Sequence, residues 1–397
     1  MKKYKIFNLF FLLFAISPLG IFGLFNIIID PYGMMATPTV VGINKSKPNQ
    51  HKYIRLFKPI EVIRIKPKTI FIGSSKIIFL DPRHPELNQH QPIYNFAIFG
   101  TNIEQQKRYF KHALTNQPDL EFVIMGIDFF AFNDFNRKYA VLSNNDSDRL
   151  GKTNLLFRDL LNTNLSLDTF QNSINTFIFN VKNKPVSSDF INGMYVEKRK
   201  PFNKNMLYHF QELIFNTMIE DQTYYRYQLS QKLLNDYREI INICQQRNIE
   251  LIVFIPASHA TDLEAIRASG QWLKFEQWKR ELVNITPVWD FTGYNSITTE
   301  PIKNQMNYFM DSYHPTKEVS DYMLNRMLNY QTQKIPHDFG VLLTKVNLES
   351  QLRKIRSEHL KWANNNPDIV QLVQDLRLKV ELQNKPNSGS SVDNMLN

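Results

Sequence analysis

The chain opens on an apolar run: Ile6 to Ile29 is 24 residues without a charged side chain, preceded by Met-Lys-Lys-Tyr-Lys. As a helix rising ~1.5 Å per residue it would reach about 36 Å, more than the ~30 Å hydrocarbon core of a bilayer. Lys2, Lys3 and Lys5 precede the run and only Lys45 and Lys47 follow it closely. This asymmetry predicts a single transmembrane anchor at 6–29, with 1–5 as the cytoplasmic end and the rest of the chain exported. Asn8, Ser17, Pro18, Gly20 and Asn26 interrupt the run and keep a cleaved signal as the competing reading, although no A-x-A cleavage site follows. Residues 30–67 are polar, carry Pro38, Pro48 and Pro59, and read as a stalk.

From Lys68 the pattern changes to short apolar runs alternating with amphipathic stretches. Thr69–Ile72, Ile93–Phe99, Phe122–Ile127, Ile249–Ile255 and Val288–Phe291 read as strands, several of them apolar on both faces. Thr101-x-x-Glu104 has the form of a capping box opening a helix whose apolar face holds Ile103, Phe110, Ala113 and Leu114. Leu233, Leu234, Tyr237, Ile240, Ile241 and Cys244 keep helical spacing after a start near Tyr225. Strands alternating with helices predict an α/β domain over 68–335, three layers around a parallel sheet in the flavodoxin-like manner. The stretch 131–224 is too long for a strand-to-helix loop of ~2 to 6 residues and is expected to be an inserted helical cap over the strand ends. Leu155, Leu156, Leu160 and Leu161 suggest one helix in it, Met206–Met218 another. Over 336–397, helices at Leu348–Ala363 and Pro367–Leu382 are expected before a polar, disordered tail.

Composition narrows the class. A hydrophobic fraction of 43%, with 30 Phe and 17 Tyr, excludes a disordered chain. The net charge of +10 invites nucleic acid, but the basic residues are scattered and form no cluster, so no nucleic-acid partner is expected. Cys244 is the single cysteine, which excludes an internal disulfide and a cysteine-built zinc or iron–sulfur site. No Walker loop, G-x-G-x-x-G or H-E-x-x-H occurs. Neither metal nor cofactor is expected.

Two elements could carry chemistry. Gly73-Ser74-Ser75 ends the first strand, where backbone N–H groups of the next turn can meet an oxyanion; the plainer reading is a serine N-cap. Asp311-x-x-His314 precedes an amphipathic helix and supplies a base with the carboxylate that fixes its tautomer. Random placement of the aspartates among 9 His predicts about half a match to this spacing, and a second match, Asp81-x-x-His84, does occur. His84 follows Ser75 too closely to fold back onto it, so the later pair is preferred. His259 and Asp290 end strands and read as loop or cap residues, and Cys244 as core.

Taken together, Gly-Ser-Ser on the first strand, Asn95 to Gly100 on the second, Gly126-Ile127-Asp128 on the third and Asp311-x-x-His314 near the end resemble the SGNH (GDSL-like) hydrolase superfamily. The envelope branch is the nearest in character, with the D-alanyl transfer protein of teichoic-acid modification and the alginate O-acetyltransferases. The resemblance covers about Lys68 to Tyr330. It implies Ser75 as nucleophile, His314 as base, Asp311 as its orienter, and Gly100 with Ser75 as oxyanion donors; Ser74 stands where the commoner form has Asp. The third block departs from the pattern, since Asp128 replaces an Asn that donates to the oxyanion. Either another donor serves, with Asn102 the candidate, or the hole is weak; alternatively Asp128 caps the next segment. The implied activity is acyl transfer or ester hydrolysis on a cell-surface glycan, most simply of acetyl, with an acyl donor or a multi-pass membrane acyltransferase as partner. The competing reading is a non-catalytic scaffold or glycan-binding protein of an envelope complex.

Overall fold

The computed structural model describes residues 2–135, 163–184, 188–198, 205–219 and 224–383. An N-terminal helix α1 (Lys2–Ile29) and a second helix α2 (Ile54–Ile65) lead into strands β1 (Thr69–Ile72) and β2 (Ile93–Asn95), helix α3 (Ile103–Asn116) and strand β3 (Phe122–Gly126). The inserted region contributes helix α4 (Leu167–Val181), hairpin β4 (Ser188–Ile191) with β5 (Met194–Glu197), and helix α5 (Met206–Ile219). The core resumes with α6 (Gln231–Gln246), β6 (Glu250–Ile255), α7 (Ala260–Ala268), α8 (Trp272–Ile285) and β7 (Val288–Asp290). After α9 (Lys317–Met327) come β8 (Val341–Leu343), α10 (Leu348–Asn365) and α11 (Pro367–Gln383).

The architecture is α/β, a mostly parallel sheet flanked by helices. Strand order is β2-β1-β3-β6-β7-β8, with every pairing parallel except β7 to β8. The five parallel strands thus run in the 2-1-3-4-5 order of a doubly wound sheet, which reverses direction at β1 and β3. β1 and β3 are buried along their whole length, which is why both faces of each read as apolar. The second apolar run pairs only over Ile93–Asn95. Its remainder leaves the ladder but still bonds the first strand's end, Phe96 N–H to Phe71 O and Ile98 N–H to Gly73 O. All six apolar positions picked out on α6 are buried, and the helix starts at Gln231 instead of near Tyr225.

Several expectations change. The stretch 30–67 is not a polar stalk: Tyr32, Met34, Phe57, Ile60 and Val62 join the main core. The capping box of α3 is Asn102 with Gln105, one residue later than Thr101 with Glu104. Thr101 instead sends its hydroxyl to Gly73 O and Ile98 O, tying the loop to the end of β1. Residues 6–29 are helical, but among the described residues no helix is long and apolar enough to cross a membrane, so the expected span is not found there. The end of α1 is committed to protein contacts instead. Asn26 is fully buried and donates to Asn164 O at 2.7 Å, and Phe22 packs on Phe170 with ring centroids 4.6 Å apart. The helix expected around Leu155 to Leu161 and the tail 384–397 lie outside the described residues.

Candidate active site

The first carrier of chemistry lies just past β1. Gly73 and Ser74 lead into a 3₁₀ turn, Ser75–Ile77, and the Ser74 hydroxyl accepts the Lys76 N–H at 3.3 Å. Ser74 is therefore the capping serine, and Ser75 is the one that lines a cleft. The turn sits close on the sheet. A Cβ on Gly73 would lie 2.8 Å from the Gly126 carbonyl oxygen, and one on Gly126 would lie 2.5 Å from Ile77 Cγ2, so both positions require glycine. Asn95 at the end of β2 donates to the carbonyls of Ile77, Ile78 and Leu80. The buried Lys58 of α2 donates to Asn95 O and Ala97 O, each at 2.8 Å. Burial pushes its ammonium well below the usual lysine pKa, against a smaller opposing effect of Glu61.

The second carrier is the turn before α9. His314 Nε2 lies 2.9 Å from Ser75 Oγ, and His314 Nδ1 lies 2.8 Å from Asp311 Oδ2. The other oxygen, Asp311 Oδ1, accepts the N–H groups of Tyr313 and His314, both at 2.7 Å. The three residues singled out in sequence thus come together in one relay. A carboxylate facing Nδ1 holds the ring proton there and leaves the Nε2 lone pair for the serine hydroxyl. Burial pulls the His314 pKa down, but the charge and hydrogen bond of Asp311 outweigh it, and the imidazole ends above its ordinary value. For Asp311, burial pushes up; the charge of His314 and the hydrogen bonds outweigh it, and the carboxyl ends below its ordinary value.

The cleft has a volume of about 840 Å³ and is lined by all three relay residues, by Gly100, and by Tyr195 and Leu213 from the insertion, which therefore does border the site. Gly100 takes φ +62°, a backbone that favours glycine, as the second run turns toward α3. Asn102 is not among the lining residues. Its side-chain oxygen accepts the Gln105 N–H at 2.9 Å as the N-cap of α3.

Asp128 does not cap the segment that follows: the 3₁₀ turn Phe129–Phe132 receives no side-chain hydrogen bond from it. It is 1% exposed, neither of its oxygens meets a hydrogen-bond donor among the described residues, and Lys76 Nζ stands 3.6 Å from Oδ1. Lys76 also lies 3.8 Å from Asp262 Oδ2 and 3.6 Å from the centroid of the Tyr313 ring. Burial pushes Asp262 up, against the opposing charge of Lys76. This buried cluster lies directly behind the relay, and its charges reach His314: Lys76 pulls the imidazole down and Asp128 pushes it up. Sequence reading missed Lys76 and Asp262, as it missed Lys58. The signal for Lys76 was its position as the one charged residue among Gly73 to Leu80.

The other candidates are structural. Asp81 pairs with Arg83, and His84 caps the 3₁₀ turn Pro85–His90 while bonding Asn325 Oδ1 at 2.7 Å. His259 caps α7, holds Glu300 O at 2.7 Å, and burial lowers its pKa to about 4. Asp290 is in a buried ion pair with Lys279 at 2.6 Å. Burial pushes the Cys244 thiol up to about 12, as suits a core position. Among the described residues no group of His, Cys, Asp and Glu could hold a metal ion. No family model, curated protein or solved structure matches the chain.

Proposed function

We propose that the chain is an SGNH-like serine acyltransferase or esterase, attached to a bacterial cytoplasmic membrane, that acts in the envelope on acyl groups of a cell-surface glycan. The observation that carries this reading is the Ser75–His314–Asp311 relay, with spacings of 2.9 and 2.8 Å, opening on a cleft past the ends of the parallel strands. Ser75 Oγ attacks the acyl carbonyl while His314 Nε2 takes its proton. The N–H groups of Ser75 and Gly100 receive the developing oxyanion. His314 then gives the proton to the departing alkoxide, leaving an acyl-serine that water or a sugar hydroxyl resolves. In the transfer direction, a multi-pass acyltransferase would supply the acyl group from across the bilayer.

Membrane attachment draws support from α1. Ile6, Phe7, Phe11 and Ile21 are each more than half exposed there, a cost in water that lipid removes. The positive charge of Lys2, Lys3 and Lys5 at the start of α1 supports a reading with the amino terminus on the cytoplasmic side and the domain in the envelope. The scaffold reading draws on Asp128, a carboxylate where an oxyanion donor is expected. Release of p-nitrophenol from its acetate ester by the full chain in detergent separates the two. A rate lost in both Ser75→Ala and His314→Ala supports catalysis, and absence of any Ser75-dependent rate in the folded protein favours the scaffold.

A further inference from the structure

An acetyl group offers one methyl beyond its carbonyl, yet the cleft at Ser75 has about 840 Å³. That volume falls in the range of ~300–1,000 Å³ typical of sites that enclose whole small molecules. Most of its wall is hydrocarbon, with His51, Lys52, Arg55, Glu197 and Asn216 also among the lining residues. Ile54, Ile78, Phe79 and Phe130 are all at most 6% exposed, and Tyr195 and Leu213 complete the lining from the insertion. Ile78 and Phe79 follow directly on the turn that carries Ser75, so the apolar surface begins at the nucleophile itself. Sugar hydroxyls set against the hydrocarbon part of the wall would lose water without gaining partners. A methylene chain gains by the same burial.

We infer that this cleft takes the hydrocarbon chain of an acyl group longer than acetyl, with the ester carbonyl at Ser75 and the chain against Ile78, Phe79 and Phe130. The inference rests on the reading of Ser75 as nucleophile and names the class of ester it prefers. In the step itself, the Ser75 Oγ–carbonyl bond forms and the carbonyl–alkoxy bond breaks. The serine proton passes through His314 Nε2 to the leaving alkoxide. The acyl chain stays on Ser75 until the oxygen of water or another hydroxyl attacks; that nucleophile's proton then returns to Ser75 Oγ by the same nitrogen.

The test is kcat/KM of the full chain in detergent on p-nitrophenyl acetate, butyrate, hexanoate and octanoate, beside Ser75→Ala and Leu213→Trp. Each methylene that enters the cleft is expected to raise kcat/KM about fourfold, so butyrate exceeds acetate by tenfold or more. Leu213→Trp, which fills part of the space, is expected to lower the octanoate-to-acetate ratio by tenfold or more. Ser75-dependent hydrolysis that stays level or declines with chain length overturns the inference and leaves the serine reading standing. A rise that persists in Ser75→Ala places the chain preference elsewhere and overturns it too. No Ser75-dependent hydrolysis of any ester overturns both.

Discussion

Asp81 and His84 stand three apart on a turn, as Asp311 and His314 do, but the two turns use their side chains in opposite ways. At the first, Arg83 lies between them and takes the carboxylate, with 2.8 Å from its Nη2 to Asp81 Oδ2. The ring of His84 is spent on both sides, accepting the Glu86 N–H at Nδ1 and meeting Asn325 at Nε2. At the second, Asp311 Oδ1 is fixed by two N–H groups of its own turn and Oδ2 faces the ring, so Nε2 reaches Ser75. The same spacing yields a base where the carboxylate has no competing cation in the turn and the second ring nitrogen faces a hydroxyl. Elsewhere it yields a cap.

The largest test of this contrast is activity. Ser75→Ala and His314→Ala are expected to lower ester kcat by roughly 10⁴-fold or more, whereas Asp81→Asn and His84→Ala stay within about threefold of wild type. A comparable loss in His84→Ala would break the contrast. Asp311→Asn comes next, at roughly 10⁴-fold. Because Asp311 raises the His314 pKa and only the neutral ring accepts a proton, wild-type kcat/KM should fall as pH drops through a value above ~6.5. Any residual activity of Asp311→Asn should fall at lower pH, which a pH–rate profile reads directly.

The remaining tests concern histidines that hold structure. His259 is 3% exposed, and its folded pKa of about 4 lies below its unfolded value of ~6.5. The unfolded chain therefore binds the extra proton, and stability present above pH ~6.5 is lost as pH falls toward 4. Between pH 7 and 4 the wild type should lose about 3 kcal/mol more than His259→Asn, which can still cap α7 but does not titrate; urea unfolding at each pH checks this. The smallest effect is expected from His84→Ala, about 1 kcal/mol from a lost cap and one hydrogen bond, seen as a lower melting temperature with activity kept.

What could be read in the chain follows from how local each feature is. β1 and β3 are legible because a strand buried on both faces leaves an uninterrupted apolar run, and Ser75 and His314 because each sits where such a run or a helix begins or ends. The α3 cap was misplaced by one residue because Thr101 and Asn102 are both good N-caps, and Glu104 and Gln105 both suit the third helical position. α2 was hidden because Lys58, Pro59 and Glu61 interrupt its apolar face, and nothing local tells that Lys58 is buried against two backbone carbonyls. The partnership of Lys76 with Asp128 and Asp262 joins residues far apart in the chain, so Asp128 read as a lone departure from a pattern when it is one member of a buried charge cluster.

The central claim is that His314 activates Ser75. Labelling of the full chain in detergent by a fluorophosphonate, followed by peptide mass spectrometry, tests it most directly. The account predicts one phosphonyl group on Ser75, absent in His314→Ala and retained in His84→Ala. Label on another residue, equal labelling in His314→Ala, or no label on the folded wild type would contradict it.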